Sequence, residues 1–146
     1  MTDATALHSD AIVIDGLQCC DFNRALMEEA LRGGVTAINH AAILWENFRD
    51  GIDRIIEWRG LFDANADIVM PVRSVADIHA ARAAGKLGII MGWQNTSPLE
   101  DRLDYLPVFK TLGIGIMQLT YNTQNLAGAG YLEEKDAGLT GFGKEM

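Results

Sequence analysis

The stretch from Gly88 to Asn122 limits what this chain can fold into more than any other. Gly88–Met91 is a short apolar run stopped by Gly92, and Ile114–Leu119 is a second such run. Between them, Ser97-Pro98-Leu99-Glu100 carries three helix-start signals. Ser97 can cap, Pro98 suits a first helical position, and Glu100 can reach back to a free backbone N–H. Leu99, Leu103, Leu106 and Phe109 recur three or four residues apart and so share one face, until Gly113 ends the segment. Pro107 lies inside this segment and is expected to kink it, an interior proline costing about 3 kcal/mol. Strand, helix and strand with a tight return predict a parallel pair joined by a right-handed crossover. Ligands of such units bind beyond the carboxyl ends of the strands, where Gln94, Asn95, Thr120, Tyr121 and Asn122 fall.

The same alternation runs through the preceding residues. Ala11–Asp15 is a β-branched run read as the first strand, unbroken enough to be buried on both faces, with a loop from Leu17 to Phe22. Asn23–Leu31 reads as a helix and Val35–Ile38 as the second strand, ending at Asn39 and His40. Phe48–Asn65 is the next helix, with Ile52, Ile55, Ile56, Arg59 and Phe62 on one side and Trp58 and Leu61 widening that stripe. Ile68–Met70 is a short extended piece, and the capping box Ser74-Val-Ala-Asp77 opens a helix that runs to about Ala84, before Gly85. Tyr131–Gly138 is a polar loop, and the last residues from Leu139 read as a helix just beginning.

Four βα units in series fit either a small open sheet or half of an eight-stranded barrel. A (β/α)8 barrel typically needs about 250 residues, and this chain has 146. Residues 1–146 are therefore expected to form a single, incomplete domain. A half barrel would leave two sheet edges exposed, so self-association of the chain on its own is expected.

Charge and composition narrow the partners. A net charge of −8 argues against nucleic acid or an anionic membrane, both of which need a basic footprint. No apolar run approaches the eighteen or so residues that span a bilayer, and Met1–Asp10 lacks the basic and apolar blocks of a secretory leader. A cytoplasmic location follows. Cys19 and Cys20 are adjacent, a spacing that rarely closes a disulfide, and are read as thiols in a reducing compartment.

Residues just past the strands form the candidate site: Gln18, Cys19 and Cys20; Asn39 and His40; Gln94 and Asn95; Tyr121 and Asn122. His40 suits a ligand-binding or general-base role, or a hydrogen-bonded structural one. Cys19 and Cys20 suit thiolate chemistry, or are small buried thiols. Gln94, Asn95 and Tyr121 can orient a substrate or satisfy local backbone. Gly113-Ile-Gly115 stands at a helix-to-strand junction, the wrong polarity for a dinucleotide loop.

Several segments together carry a resemblance. They are V-I-D-G at Val13–Gly16, G-K-L-G-I-I-M-G at Gly85–Gly92 and Q-N-T-S-P-L-E-D at Gln94–Asp101. L-G-I-G-I-M-Q-L-T-Y-N-T-Q-N at Leu112–Asn125 and G-L-T-G-F-G-K-E at Gly138–Glu145 complete the set. From about Ile12 onward the chain resembles the membrane (renal-type) dipeptidase family, peptidase family M19. The resemblance implies the N-terminal half of a (β/α)8 barrel, and a hydrolase that cleaves dipeptides with two bridged zinc ions. It places the family's His-x-Asp metal pair on Leu17-Gln18-Cys19, its bridging glutamate on Gln94, and its substrate-side position after the fourth strand on Tyr121. Leucine cannot bind a metal, and a neutral amide cannot offset the repulsion of two zinc ions about 3.5–4 Å apart. The expectation is a divergent hydrolase of small amide or dipeptide-like molecules holding at most one zinc ion, with Cys19 as its only ligand from this half. Gln94, Asn95, Tyr121, Asn122 and His40 would position substrate. A non-catalytic relative that binds a small molecule in the barrel mouth, and an unrelated open-sheet binding domain, are the alternatives.

Overall fold

The computed structural model describes residues 3–146. Its centre is a five-stranded sheet in which every pairing is parallel. The strands are β1 (Ile14–Gln18), β2 (Ala37–Ile43), β3 (Val69–Pro71), β4 (Leu87–Trp93) and β5 (Ile114–Met117). The helices are α1 (Ala4–Asp10), α2 (Arg24–Arg32), α3 (Phe48–Ala64), α4 (Val75–Ala83), α5 (Tyr105–Leu112) and α6 (Gly141–Glu145). The N-terminal segment is helical from Ala4, capped by Asp3; Met1 and Thr2 lie outside the described residues.

Strand order is β1-β2-β4-β3, with β5 also paired to β4. The extended piece at Ile68–Met70 is therefore a strand of the sheet. β3 pairs with the first half of β4, from Val69 opposite Leu87 to Pro71 opposite Ile89, while β5 pairs with its second half, from Met91 to Trp93. Chain direction across the sheet reverses between β3 and β4, so right-handed crossovers must put α4 on the opposite face from α2, α3 and α5. Side chains agree. The core cluster gathers Met27 of α2, Ile55 and Trp58 of α3 and Phe109 of α5 against Ile38, Leu87, Ile89, Met91 and Trp93, with no member from α4. On the other face, a Cβ at Gly88 would meet Ala81 of α4 at 3.4 Å. Arg82 then ties α4 to the N-terminal segment through the carbonyls of Ser9 and Ala11. In barrel terms α2, α3 and α5 form the outer layer, and α4 closes the inner face at the amino ends of the strands.

Local signals explain most helix ends. Asn23 and Asn47 accept from Leu26 N–H and Asp50 N–H to cap α2 and α3. Ser74 and Asp77 form the reciprocal box that opens α4. Gly113, at φ 114°, ends α5 in the left-handed conformation that only glycine adopts cheaply.

Other elements differ from the sequence reading. Ser97–Leu99 forms only a 3-10 turn, and α5 starts at Tyr105. Glu100 does not close a capping box; it sits at φ 51° and its carboxylate accepts from Phe48 N–H, the first residue of α3. Pro107 consequently lies in the first turn of α5, where its missing N–H has no helical partner to lose, and no kink is required. β1 is shifted three residues along from Ala11–Asp15 and is an edge strand with Ile14 and Leu17 exposed. Ile56 is 58% exposed, and Ile55 and Trp58 carry the buried side of α3.

Candidate functional site

Two strands extend further than their sequence predicts, and this moves the candidate residues. β2 runs on to Ile43, so Asn39 and His40 lie within it rather than beyond it. β4 runs through Gly92 to Trp93, leaving Gln94 as the first residue past its end.

Alternation along β2 separates its two polar residues. Asn39 lies on the inner face, where Nδ2 donates to the Gly16 carbonyl of β1 at 2.9 Å. Its Oδ1 packs against Gly92, so closely that a Cβ there would stand 2.1 Å from it. His40 lies on the outer face, its ring 4.6 Å from that of Trp58 and 5.6 Å from that of Phe22. Its Nε2–H donates to the Cys20 carbonyl at 3.1 Å. Burial holds the imidazole below its ordinary pKa; the Cys20 bond opposes this and the Arg54 charge adds to it. The sheet thus sends these neighbours to different places.

Around the end of β4 the loops form a buried amide network. Trp93 packs edge-on against Phe109 of the outer layer, so Gln94, next along, faces inward. Its N–H donates to the Ile43 carbonyl at 3.0 Å, while its Oε1 is buried without a partner. Asn95 is committed to the loop: its Oδ1 accepts from Asn125 Nδ2 at 2.5 Å and from Ser97 N–H at 3.2 Å. Thr96 donates to the Leu119 carbonyl at 2.8 Å. Asn125 also accepts from Ala127 and Gly128 N–H, locking the loop after β5 over the loop after β4. Asn122 carries a second buried amide oxygen, Oδ1, without a partner.

Aromatic rings roof this end. Tyr121 stands 5.4 Å from Trp45 and 6.0 Å from Tyr131. Because β4 lies between β2 and β5, the Trp45–Tyr121 contact joins the loops on either side of Gln94. Tyr121 and Tyr131 also line a cavity of about 370 Å³ with Glu133 and Asp136. Trp45, Tyr131 and Asn125 are absent from the sequence-derived set; nothing in the local pattern distinguishes Trp45 and Tyr131 from ordinary loop residues, whereas Asn125 closes the L-T-Y-N-T-Q-N segment that carries the family resemblance.

The positions on which the family resemblance placed metal ligands offer poor donors. Leu17 is an exposed aliphatic side chain of β1. Cys19 and Cys20 are free thiols, as their adjacency implied, and both are exposed, which removes the alternative of small buried thiols. Gln18 is held by Asp15, to which its Nε2 donates at 2.9 Å. Among the described residues no group of three His, Cys, Asp or Glu side chains comes together in a way that could hold a metal ion. A hydrocarbon, one exposed thiol and a neutral amide do not fit a dinuclear zinc centre, and no chemical step is derived through one.

A parallel sheet with an outer helical layer, and polar residues collected beyond the carboxyl ends of its strands, is the architecture of part of a (β/α)8 hydrolase-type barrel. The chain belongs to the membrane dipeptidase family, peptidase family M19, whose family model matches residues 19–146. It is similar over 97% of its length to an amidohydrolase from Pseudomonas aeruginosa, with 48% sequence identity and a TM-score of 0.92, and covers 43% of that chain. The probable dipeptidase PvdM from Pseudomonas aeruginosa has the same fold over 97% of the present chain and 44% of its own (TM-score 0.81, 20% identity). Dipeptidase AC, a metallopeptidase of family M19, matches 92% of the present chain and 52% of its own (TM-score 0.72, 15% identity). The chain thus spans about half the length, or less, of these solved relatives. No curated protein matches it. Among the described residues no helix is long and apolar enough to cross a membrane.

Proposed function

We propose that residues 1–146 are the N-terminal half of a dipeptidase-type barrel that acts as a divergent hydrolase of small amide or dipeptide-like molecules. In this reading the reactants lie at the carboxyl ends of the strands. Gln94 and Asn122 present unpaired amide oxygens to substrate N–H groups, Tyr121 stacks against the substrate, and Asn95 fixes the loop that holds Gln94. At most one zinc ion is bound, with Cys19 as the only donor from this half and the remaining ligands from outside it. The exposed thiols suit a reducing, cytoplasmic compartment.

One observation carries the reading. Gln94 is buried at the end of β4, at the position corresponding to the family's bridging glutamate, with Oε1 left without a partner. A buried acceptor without a donor costs about 1–3 kcal/mol, so it is retained most readily where a ligand supplies the missing bond.

Metal analysis and turnover assays on the full-length protein test this. The expected result is no more than one equivalent of zinc, together with hydrolysis of small amides or dipeptides that Gln94→Ala reduces by about tenfold or more. Gln94→Glu should raise zinc uptake by supplying the anionic bridge. Two equivalents of zinc in the unaltered protein would overturn the altered-site reading. Binding of such compounds without turnover would replace it with a non-catalytic relative, a reading that the weak donors at positions 17, 19 and 94 also favour.

A further inference from the structure

Trp45 is a large side chain left 49% exposed on the loop that follows β2, whereas Trp58 and Trp93 are 4% and 2% exposed. It is not a member of the core cluster. The next residue sets its position instead. Glu46 Oε2 accepts from Leu44 N–H at 2.7 Å and from Trp45 N–H at 2.8 Å, so one carboxylate pins two successive residues of the loop. Bonds of this kind, to an ionised oxygen, are roughly twice as strong as neutral ones. The other oxygen, Oε1, stands 3.7 Å from Arg54 Nε, which donates to the Ala42 carbonyl of β2. Glu57 pairs with the same guanidinium through Nη1. Strand, loop and α3 are joined at Glu46.

The start of α3 does not require this carboxylate. Asn47 accepts from Asp50 N–H there, and Glu100 accepts from Phe48 N–H. Glu46 therefore serves the loop, and what the loop presents is the indole. The Trp45 ring lies 5.4 Å from that of Tyr121, with 30° between their planes. Tyr121 in turn lines the cavity of about 370 Å³ past the end of β5. Its carbonyl accepts from Tyr131 N–H at 2.9 Å, which ties the backbone. The orientation of its ring depends on what packs beside it, and aromatic pairs hold a preferred offset or tilted geometry.

We propose that Glu46 is a positioning residue for substrate: it holds Trp45 against Tyr121 and so fixes the ring on which the substrate packs. This rests on the reading of Tyr121 as a substrate-side residue. The chain of contacts runs from Arg54 to Glu46, then to Trp45 and Tyr121, and Glu46 acts only through the indole. An exposed indole held by a carboxylate, rather than by burial, keeps its place without closing the cavity.

Two measurements on the full-length protein test the proposal. Trp45 emission, taken as the difference between the parent and Trp45→Phe, requires no substrate. Its quenching by acrylamide should rise about twofold in Glu46→Ala, as a half-exposed ring leaves Tyr121 for solvent. Glu46→Gln keeps an acceptor oxygen and should restore most of the parent value. Glycyl-L-phenylalanine then reads the consequence, as KM where it is cleaved and as a calorimetric Kd where it is only bound. Glu46→Ala and Trp45→Ala should each raise that constant about fivefold, with kcat changed far less. The double variant should be no worse than Trp45→Ala alone, because both changes act through one ring. Quenching unchanged in Glu46→Ala would overturn the proposal. So would additive effects in the double variant, a constant unchanged in Trp45→Ala, or no saturation of the parent up to about ten millimolar dipeptide. A parent that binds the dipeptide without cleaving it counts against the hydrolase reading and leaves the role of Glu46 standing.

Discussion

At the residue scale, the decisive feature is that neighbours on one strand work on opposite faces. Asn39 bridges β1 and lies on Gly92, and only a residue without a Cβ lets the two strands pass at that distance. Gly92→Ala should therefore push Asn39 off the Gly16 carbonyl and destabilise the full-length protein by about 1–3 kcal/mol, read from the denaturant midpoint. A midpoint within error of the parent would show that Asn39 can move freely. His40 gives a pH signature. Burial lowers its folded-state pKa, so between the folded value and the ordinary value of about 6.5 the unfolded chain binds the extra proton. The stability linked to His40 is full above that ordinary value and is lost as pH falls through the folded pKa. Denaturant midpoints from about pH 7.5 to pH 5.5 should fall with acid, and the slope should flatten in His40→Gln. An unchanged slope in that variant would assign the acid sensitivity elsewhere.

At the element scale, the caps show how local chemistry and tertiary demand divide the work. Asn23, Asn47, Ser74 and Gly113 act at helix ends much as short-range rules require, because each needs only its own backbone within three residues. Asn47→Ala should cost about 1 kcal/mol by freeing the Asp50 N–H at the start of α3, measurable by thermal or denaturant unfolding. No loss would mean that Glu100, which accepts from Phe48 N–H, suffices to hold that end. The Ser97-Pro98-Leu99-Glu100 signal fails for a physical reason. Leu99 is fully buried beside α3, and Glu100 serves the start of α3 instead of its own segment. Packing against another element outweighs about 1 kcal/mol of local capping.

At the scale of the molecule, the sheet is open. Ile14 and Leu17 of β1 with Ile12 just before it, and Ile116 and Met117 of β5 with Leu119 just after it, are all more than a third exposed at its two sides. Residues 1–146 on their own should therefore self-associate, with a mass by light scattering that rises with concentration. A stable monomer with a cooperative melt would show that the five strands suffice as a closed unit. Membership of the dipeptidase family and coverage of about half of its solved relatives agree with an open sheet of this kind.

The sequence by itself determined the alternation of strands and helices, their parallel sense, the capping box at Ser74 and the stop at Gly113. These are set by hydrophobic period, turn chemistry and residue identity, all of which act within a few residues. It could not place β3, because a three-residue strand is fixed by its ladder to β4 and not by its own composition. It could not show that α4 closes the inner face, since that follows from strand order. Nor could it separate Asn39 from His40 or bring Trp45 to Tyr121. Such relations depend on which strands pair and in what register, and long-range pairing leaves little trace in local sequence.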